Sequence, residues 1–295
     1  MHTKVSEDSA ADGILLIRPK DGDFFVQSVS PVVRTRERLI GTLALTDIPV
    51  LLIGESGSGK EMVAIHIHQL SQRRDQEMMQ EMTKVSCALL TTESFSSSLL
   101  DAPSGEDRRG AWSSTTVFFD EISELGPSCQ LQLLRALPDG DAPPRARCLR
   151  GRVIASTNRN LEEEVRAGRF REDLYYRING ICLRLSPLRH RREDIPAFVD
   201  CFLRKYSAQF GRQQPSLSAR ALRTLLDYSW PGNIRQLENT IKKIVALGDE
   251  EVALADLCAS PGEPRLADSA PGRISLKEAA RAAARQAEQE LILKI

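Results

Sequence analysis

Ile48-Pro-Val-Leu-Leu-Ile-Gly54 runs straight into Gly54-Glu-Ser-Gly-Ser-Gly-Lys60, and Glu61-Met-Val-Ala-Ile-His-Ile-His68 follows with helical composition. Strand, glycine-rich loop and helix in immediate succession leave a chain few folds to choose from, because this is the setting of a phosphate-binding loop at the edge of a sheet. The glycines let the backbone curl until successive N–H groups converge on phosphate oxygens. The helix N-terminus adds partial positive charge, and Lys60 supplies a point charge for the β- and γ-phosphates. The nucleotide-binding set expected here is Gly54, Glu55, Ser56, Gly57, Ser58, Gly59, Lys60 and Glu61. Glu61 stands where the generic signature has a Ser or Thr whose hydroxyl touches magnesium. A glycine-rich turn carrying a surface lysine would share the bare pattern, so further elements must decide.

Thr115-Thr-Val-Phe-Phe-Asp-Glu121 supplies one. A buried strand ending in adjacent carboxylates places both at the carboxyl edge of a parallel sheet, where α/β folds bind ligands. Asp120 would hold Mg²⁺, directly or through water, and Glu121 would polarise the attacking water. The same pair would also suit the acidic start of a helix at Ile122–Leu125. Arg152-Val-Ile-Ala-Ser-Thr-Asn158 is another apolar run with a polar end. Thr157 and Asn158 are candidates for sensing the γ-phosphate or orienting water; ordinary turn residues would look alike. No Asn-Lys-x-Asp element is present, so ATP is expected rather than GTP.

Short apolar runs at Val50–Ile53, Val117–Phe119, Val153–Ser156 and Ile181–Leu185 alternate with longer mixed segments up to Arg192, the texture of a parallel sheet flanked by helices. Gly13–Ile17 reads as part of a tail or as a single edge strand. Beyond Arg192, Asp194–Phe210, Ser218–Tyr228 and Asn233–Leu247 read as helices, the second capped by Ser218. Ser260–Gly272 reads as a linker, and Ser275-Leu-Lys-Glu278 as a capping box opening an alanine-rich helix to Ile295. Forty Lys+Arg balance 40 Asp+Glu, which excludes a globally basic nucleic-acid binder. The longest apolar runs are too short to span a bilayer, and Met1–Ala11 lacks the pattern of a secretory signal. Six cysteines without a CxxC pair suit reduced thiols, so a cytoplasmic protein without membrane contact is expected.

Six motifs then occur in order: Gly54–Glu61, Phe118-Phe-Asp-Glu-Ile-Ser123, Ala155-Ser-Thr-Asn158, Gly168-Arg-Phe-Arg-Glu-Asp-Leu-Tyr-Tyr-Arg-Ile178, Pro187-Leu-Arg-His-Arg-Arg-Glu-Asp-Ile-Pro196 and Trp230-Pro-Gly-Asn-Ile-Arg-Gln-Leu-Glu-Asn239. Together they resemble the AAA+ domain of sigma-54-dependent transcription activators, the bacterial enhancer-binding proteins. The resemblance implies an α/β AAA+ P-loop NTPase, its parallel sheet flanked by helices, followed by a small all-α lid domain. It divides the chain into a tail at 1–25, an ATPase core at 26–189, a lid at 190–257, a linker at 258–274 and an incomplete C-terminal helical segment at 275–295. Glu61 after the P-loop lysine is normal in that family. Lys60 resembles the Walker A lysine, Asp120 and Glu121 the Walker B pair, and Thr157 with Asn158 sensor I. Arg171 and Arg177 stand at the places of arginine fingers, and Arg235 at that of the sensor II arginine. A planar, permanently charged guanidinium suits the charge of a transferred phosphoryl group. Arg171 and Arg177 would otherwise read as an exposed helix paired with Glu172 and Asp173. Fingers acting in trans imply self-association into a ring such as a hexamer, with ATP and Mg²⁺ as cofactors.

Two departures concern partners. The family's sigma-54-contacting Gly-Ala-Phe-Thr-Gly-Ala motif is absent from Leu90–Thr116, a shortened Ser-, Asp- and Gly-rich interval that reads as a flexible surface loop. Ser86 stands where the family usually has an Asn that couples the catalytic glutamate to the nucleotide. RNA polymerase and its sigma factor are therefore expected partners with sigma-54 contact weakened. DNA contact would need a Fis-type helix-turn-helix, of which Leu276–Ile295 resembles only the first helix. Two functions remain: a ring-forming ATPase that regulates transcription, or a nucleotide-gated interaction protein that does not remodel sigma-54 polymerase. His66 and His68 point to different helix faces and form no metal pair. Arg189–Arg192, with His190, reads as a solvated or interface cluster, nucleic-acid contact being the minor alternative. Trp230-Pro-Gly reads as a packed turn with Pro231 near the first helical position and Asn233 as a cap.

Overall fold

The computed structural model describes residues 14–17, 39–72, 82–95, 116–137, 149 and 151–258. Six strands form one sheet: β1 Ile14–Ile17, β2 Val50–Ile53, β3 Met82–Ser86, β4 Thr116–Asp120, β5 Arg152–Thr157 and β6 Ile181–Arg184. Their order is β1-β3-β4-β5-β2-β6, and every pairing is parallel except the outermost, where β1 runs antiparallel to β3. Of the apolar burst in the N-terminal segment, Ile14–Ile17 thus forms an edge strand. β3 carries no clear sequence signal because Thr83 and Lys84 interrupt its apolar residues.

Nearly continuous burial along β2, β4 and β5 requires cover on both faces, and period-two alternation sorts their side chains. Val50, Leu52, Phe118 and Ile154 pack against Ala64 and Ile67 of α1 (Lys60–Gln72). Leu51, Val117, Phe119 and Ala155 face the other way. There they meet Leu133 of α3 (Pro127–Ala136), Leu161 of α4 (Leu161–Arg166), and Leu174 and Ile178 of α5 (Glu172–Ile178).

The start of the interval 90–116 is not a surface loop. Thr92–Phe95 forms the short helix α2, with Phe95 wholly buried. A reciprocal cap closes it: Thr91 N donates to Ser94 Oγ at 3.0 Å and Ser94 N to Thr91 Oγ1 at 3.2 Å. Residues 96–115 lie outside the described residues, as do the linker, the capping box and the C-terminal helix expected at 260–295. The helix expected at Ile122–Leu125 is a single 3₁₀ turn, Ile122–Glu124.

From Ile195 onward the described chain is helical: α6 Ile195–Phe210, α7 Ala219–Asp227, α8 Asn233–Leu247 and α9 Glu250–Cys258. Val199, Phe202, Leu203 and Tyr206 of α6 meet Leu237, Ile241, Ile244 and Val245 of α8, both sets spaced three and four apart as helix faces require. Ser218 caps α7, its hydroxyl accepting from Ala221 N at 3.1 Å. Trp230 lies fully buried, its indole N–H donating to Leu225 O at 2.8 Å and its ring edge-on to Tyr228. The turn after it corrects the sequence reading: Gly232 takes the N-cap position, and Asn233 is the first helical residue, at φ 52°. Pro231 therefore precedes the helix, and the Asn233 side chain is directed elsewhere. Residues Met1–Leu257 and Cys258–Ile295 fall into two units, and every described residue except Cys258 belongs to the first. Among the described residues no helix is long and apolar enough to cross a membrane.

Candidate nucleotide site

The register brings the strand ends together. Ile53 aligns with Thr157 across β2 and β5, and Ser86 with Asp120 across β3 and β4. Gly54 to Gly59 therefore leave the sheet beside Asp120, Glu121 and Thr157, with Gly54 N donating to Thr157 O at 3.1 Å. Gly57 and Gly59 adopt φ 72° and 99°, values that an L side chain rarely tolerates. Lys60, almost fully buried, donates from Nζ to Gly54 O at 2.9 Å and approaches Glu121 Oε1 at 3.0 Å.

Glu121 is held at φ 55°, a left-handed conformation that persists in a non-glycine residue only where its surroundings over-determine it. They do so here. Its backbone N donates to Ser156 Oγ at 3.2 Å, and its Oε2 accepts from Asn158 N at 2.8 Å. Asp120 accepts from Ser156 Oγ at 2.9 Å and pairs with Lys84 at 3.2 Å. Lys84 also reaches Glu61 at 2.8 Å. Burial alone would lower the Lys84 pKa, but the two carboxylates outweigh it and the net shift is upward. Thr157 is buried and donates to Ser123 Oγ at 3.1 Å. Asn158 meets Glu121 through its backbone N–H.

On the far side of the loop, Ile234 N of α8 donates to Gly57 O at 2.9 Å. A methyl placed on Gly57 would lie 3.1 Å from Arg235 Cβ, so the stem of Arg235 starts beside the loop while its side chain extends to solvent. The Glu55 carboxylate turns to the helical side: Arg189 grips it with two bonds of 2.6 and 2.8 Å, and Asn233 Nδ2 donates to it at 3.1 Å. Hydrogen bonding from Arg189 is the main reason its pKa falls to about 2. Arg191, buried, donates to Ser58 O at 2.7 Å and lies over the Phe198 ring. Within the basic cluster 189–192, Arg189 and Arg191 thus join this segment to the P-loop, while His190 and Arg192 stay exposed.

Arg171 and Arg177 occupy the two ends of α5. Arg171 forms a bidentate pair with Asp173 at 2.7 and 3.0 Å, as its salt-bridged reading anticipated. Arg177 is half-buried in the last turn. A cavity of about 380 Å³ beside β6 is lined by Tyr175, Asn179, Cys182 and Arg184 and includes no P-loop residue. His68 packs in the core, Nδ1 2.8 Å from Thr116 Oγ1. Among the described residues no cluster of three or more His, Cys, Asp or Glu could hold a metal by itself. Cys87, Cys129, Cys182 and Cys201 are free thiols, and burial pushes that of Cys87 well up.

The site includes five side chains that the sequence reading did not assign to it: Lys84, Ser156, Arg189, Arg191 and Asn233. Lys84 had no signal of its own, because the strand that carries it is not marked in the sequence. The others lie within quoted motifs but carry no local sign of what they touch.

Residues 26–184 match the family described as the Sigma-54 interaction domain, and residues 189–270 the AAA+ ATPase lid domain. The transcriptional regulatory protein XylR of Pseudomonas putida is 36% identical over 259 residues, covering 83% of this chain and 45% of XylR. The sigma54-dependent transcriptional activator SfnR of the same organism is 39% identical over 234 residues, 73% of this chain and 62% of SfnR. NtrX from Brucella abortus, solved in complex with ATP, superposes with a TM-score of 0.63 at 27% identity, covering 94% of this chain and 63% of that one. The chain spans about half the length of the curated relatives it matches.

Proposed function

Because the chain belongs to the family of sigma-54 interaction domains with an AAA+ lid, we propose that it binds ATP at Gly54–Lys60 and hydrolyses it as a ring-forming regulator of transcription. The observation that carries this reading is the 3.0 Å approach of Lys60 to Glu121, which sets the phosphate-binding lysine beside the water-polarising carboxylate. An incoming triphosphate competes for Lys60 with Glu121 and the Gly54 carbonyl. Drawing the ammonium onto the phosphates leaves Glu121 Oε1 free to accept a proton from water, while Asn158 N keeps the other oxygen in place. Thr157 stiffens the strand end that presents Asn158.

Asp120 fits a Mg²⁺ delivered with the nucleotide. Magnesium keeps most of its waters and needs one or two carboxylates besides the phosphates, so the lack of a self-sufficient metal cluster is no obstacle. When bound, the ion would offset the negative charge of the phosphates, with Asp120 as the residue that would hold it. Arg235 lies on the lid beside the loop, where its guanidinium can reach a bound phosphate. Arg171 and Arg177 act on the neighbouring protomer's nucleotide, and for Arg171 this requires release from Asp173. Residues 90–116 lack the family's loop motif, so sigma-54 capture falls below that of motif-bearing relatives.

The test is ATP turnover against protein concentration. Turnover per protomer rises as rings assemble, and Arg177→Ala removes that rise while leaving nucleotide binding within about twofold; in other P-loop enzymes such an arginine contributes about 10³–10⁵ in rate. Flat turnover in the unaltered chain over the same range overturns the ring reading.

A further inference from the structure

Three successive P-loop carbonyls end on donors from outside the loop. Ser56 O accepts from Asn233 Nδ2 at 3.0 Å, Gly57 O from Ile234 N at 2.9 Å and Ser58 O from Arg191 Nη2 at 2.7 Å. In a trans peptide the C=O of one residue and the N–H of the next point in opposite directions. Tying these carbonyls to the lid side therefore turns the N–H groups of Gly57 and Gly59 the other way, as a phosphate cradle needs. Glu55, the one acid inside the loop, is held and neutralised on the same side by Arg189 and Asn233.

The turn before α8 is bent in a way that makes these contacts. Trp230 and Asn233 both adopt left-handed φ values, 50° and 52°, and both are fully buried. Strain of this kind persists where the surroundings over-determine it, and the indole anchor on Leu225 O does so. As a result Asn233 aims Oδ1 at Leu188 N, 2.8 Å away, and Nδ2 at Ser56 O and Glu55. Ile234 N–H, one of the helix-start donors that lack an intrahelical partner, goes to Gly57 O.

We infer that Asn233, Arg191 and Arg189 are positioning residues for the nucleotide: docking of the lid sets the P-loop in its phosphate-receiving form, and nucleotide affinity follows lid docking. This rests on the proposed ATP site but assigns no role in the chemical step. It assigns these groups a part separate from that of Arg235, because they act on the loop's backbone and not on a phosphate.

The experiment uses the full chain with Asn233→Asp, which keeps the acceptor for Leu188 N and loses the amide donor, and with Arg189→Gln on the surface. Arg189→Lys is the conservative rescue. Binding of a fluorescent ATP analogue, Michaelis kinetics at ring-forming concentration, and hydrogen exchange of the amides at 56–60 without nucleotide are measured. Asn233→Asp is expected to weaken binding and raise KM at least tenfold and to accelerate loop exchange at least tenfold, and Arg189→Gln, which removes an exposed pair, to change each by about three- to fivefold, with kcat changed less than threefold in both. Arg189→Lys is expected to recover part of each change. Binding within twofold of the unaltered chain, or unchanged loop exchange in folded Arg189→Gln, overturns the inference, as does a fall in kcat at constant KM. Lys60→Ala separates the premise: if it binds nucleotide as tightly as the unaltered chain, the ATP-site reading fails, whereas the loop-exchange result judges the lid contacts by themselves.

Discussion

Lys60 Nζ and Glu121 Oε1 lie 3.0 Å apart and join the first turn of α1 to the residue that follows β4. Glu121 remains a hydrogen-bond acceptor through Asn158 N even when Lys60 leaves, so its position does not depend on the ion pair. Glu121→Gln keeps the shape and removes both the charge opposing a triphosphate and the base. We expect nucleotide binding equal to or tighter than that of the unaltered chain and turnover reduced by about 10² or more, the usual contribution of a general base. Titration with a fluorescent ATP analogue and a phosphate-release assay measure the two quantities. Turnover within threefold would remove Glu121 from the chemistry.

Lys84 links Glu61 at 2.8 Å to Asp120 at 3.2 Å, so one ammonium compensates two carboxylates at the sheet edge. Lys84→Met keeps the length of the stem and leaves both acids unmatched. With charged hydrogen bonds contributing about 1.5–3 kcal/mol each and these acids partly solvated, a loss on the order of 1–3 kcal/mol is expected in denaturant melts at neutral pH. The folded pKa of Lys84 is raised above its ordinary value of 10.5. Its stabilisation is therefore complete below that pH and is lost as pH rises through the folded value. Lys84→Met should flatten the alkaline limb of stability against pH; an unchanged limb would show that the ammonium is not held as described.

Glu55 supplies the opposite limb. Its folded pKa is about 2, below the ordinary 4.5. The Arg189 pair thus stabilises the chain fully above pH 4.5 and loses its contribution as pH falls from there towards 2. Both groups are substantially exposed, at 43% and 37%, so solvent screens the pair and its effect on stability is small. Glu55→Gln should lose that acid-dependent portion, seen as a shallower fall in melting temperature between pH 5 and about 3. A fall as steep as that of the unaltered chain would assign the acid transition to other carboxylates.

The sheet was legible where its strands are buried on both faces. Val50–Ile53 is bounded correctly because four consecutive apolar residues precede a glycine-rich turn. Met82–Ser86 was not legible, since Lys84 breaks the apolar run for a reason that lies on other strands: its partners, Glu61 and Asp120, are distant in sequence. The three long helices of the lid follow from apolar spacing, and Asn233–Leu247 is bounded to the residue. Asn233 as a cap was a fair local inference that tertiary contacts overrode, because its amide group is directed to Leu188, Ser56 and Glu55 instead of its own helix start. The P-loop and the acids at the end of β4, Asp120 and Glu121, announce themselves through residue type and order. Ser156, Arg189 and Arg191 do not, because hydrogen bonds to backbone carbonyls and to neighbouring strands leave no periodic mark on a sequence.

Gly57 joins both halves of the site and gives the sharpest steric test. It adopts φ 72°, and a Cβ there would collide with the Gly232 carbonyl oxygen and approach Arg235 Cβ at 3.1 Å. Backbone, unlike the end of a side chain, cannot move aside cheaply, so Gly57→Ala must either reshape the loop or push the start of α8 away. Gly211→Ala separates collision from conformational strain: Gly211 has φ 62°, caps α6 and has open space around its Cβ position. Both substitutions should cost about 1–2 kcal/mol for the left-handed backbone. Only Gly57→Ala should also weaken binding of a fluorescent ATP analogue by tenfold or more, while Gly211→Ala binds like the unaltered chain. Equal affinities for the two variants would show that the approach of Gly232 to the loop has no bearing on nucleotide binding.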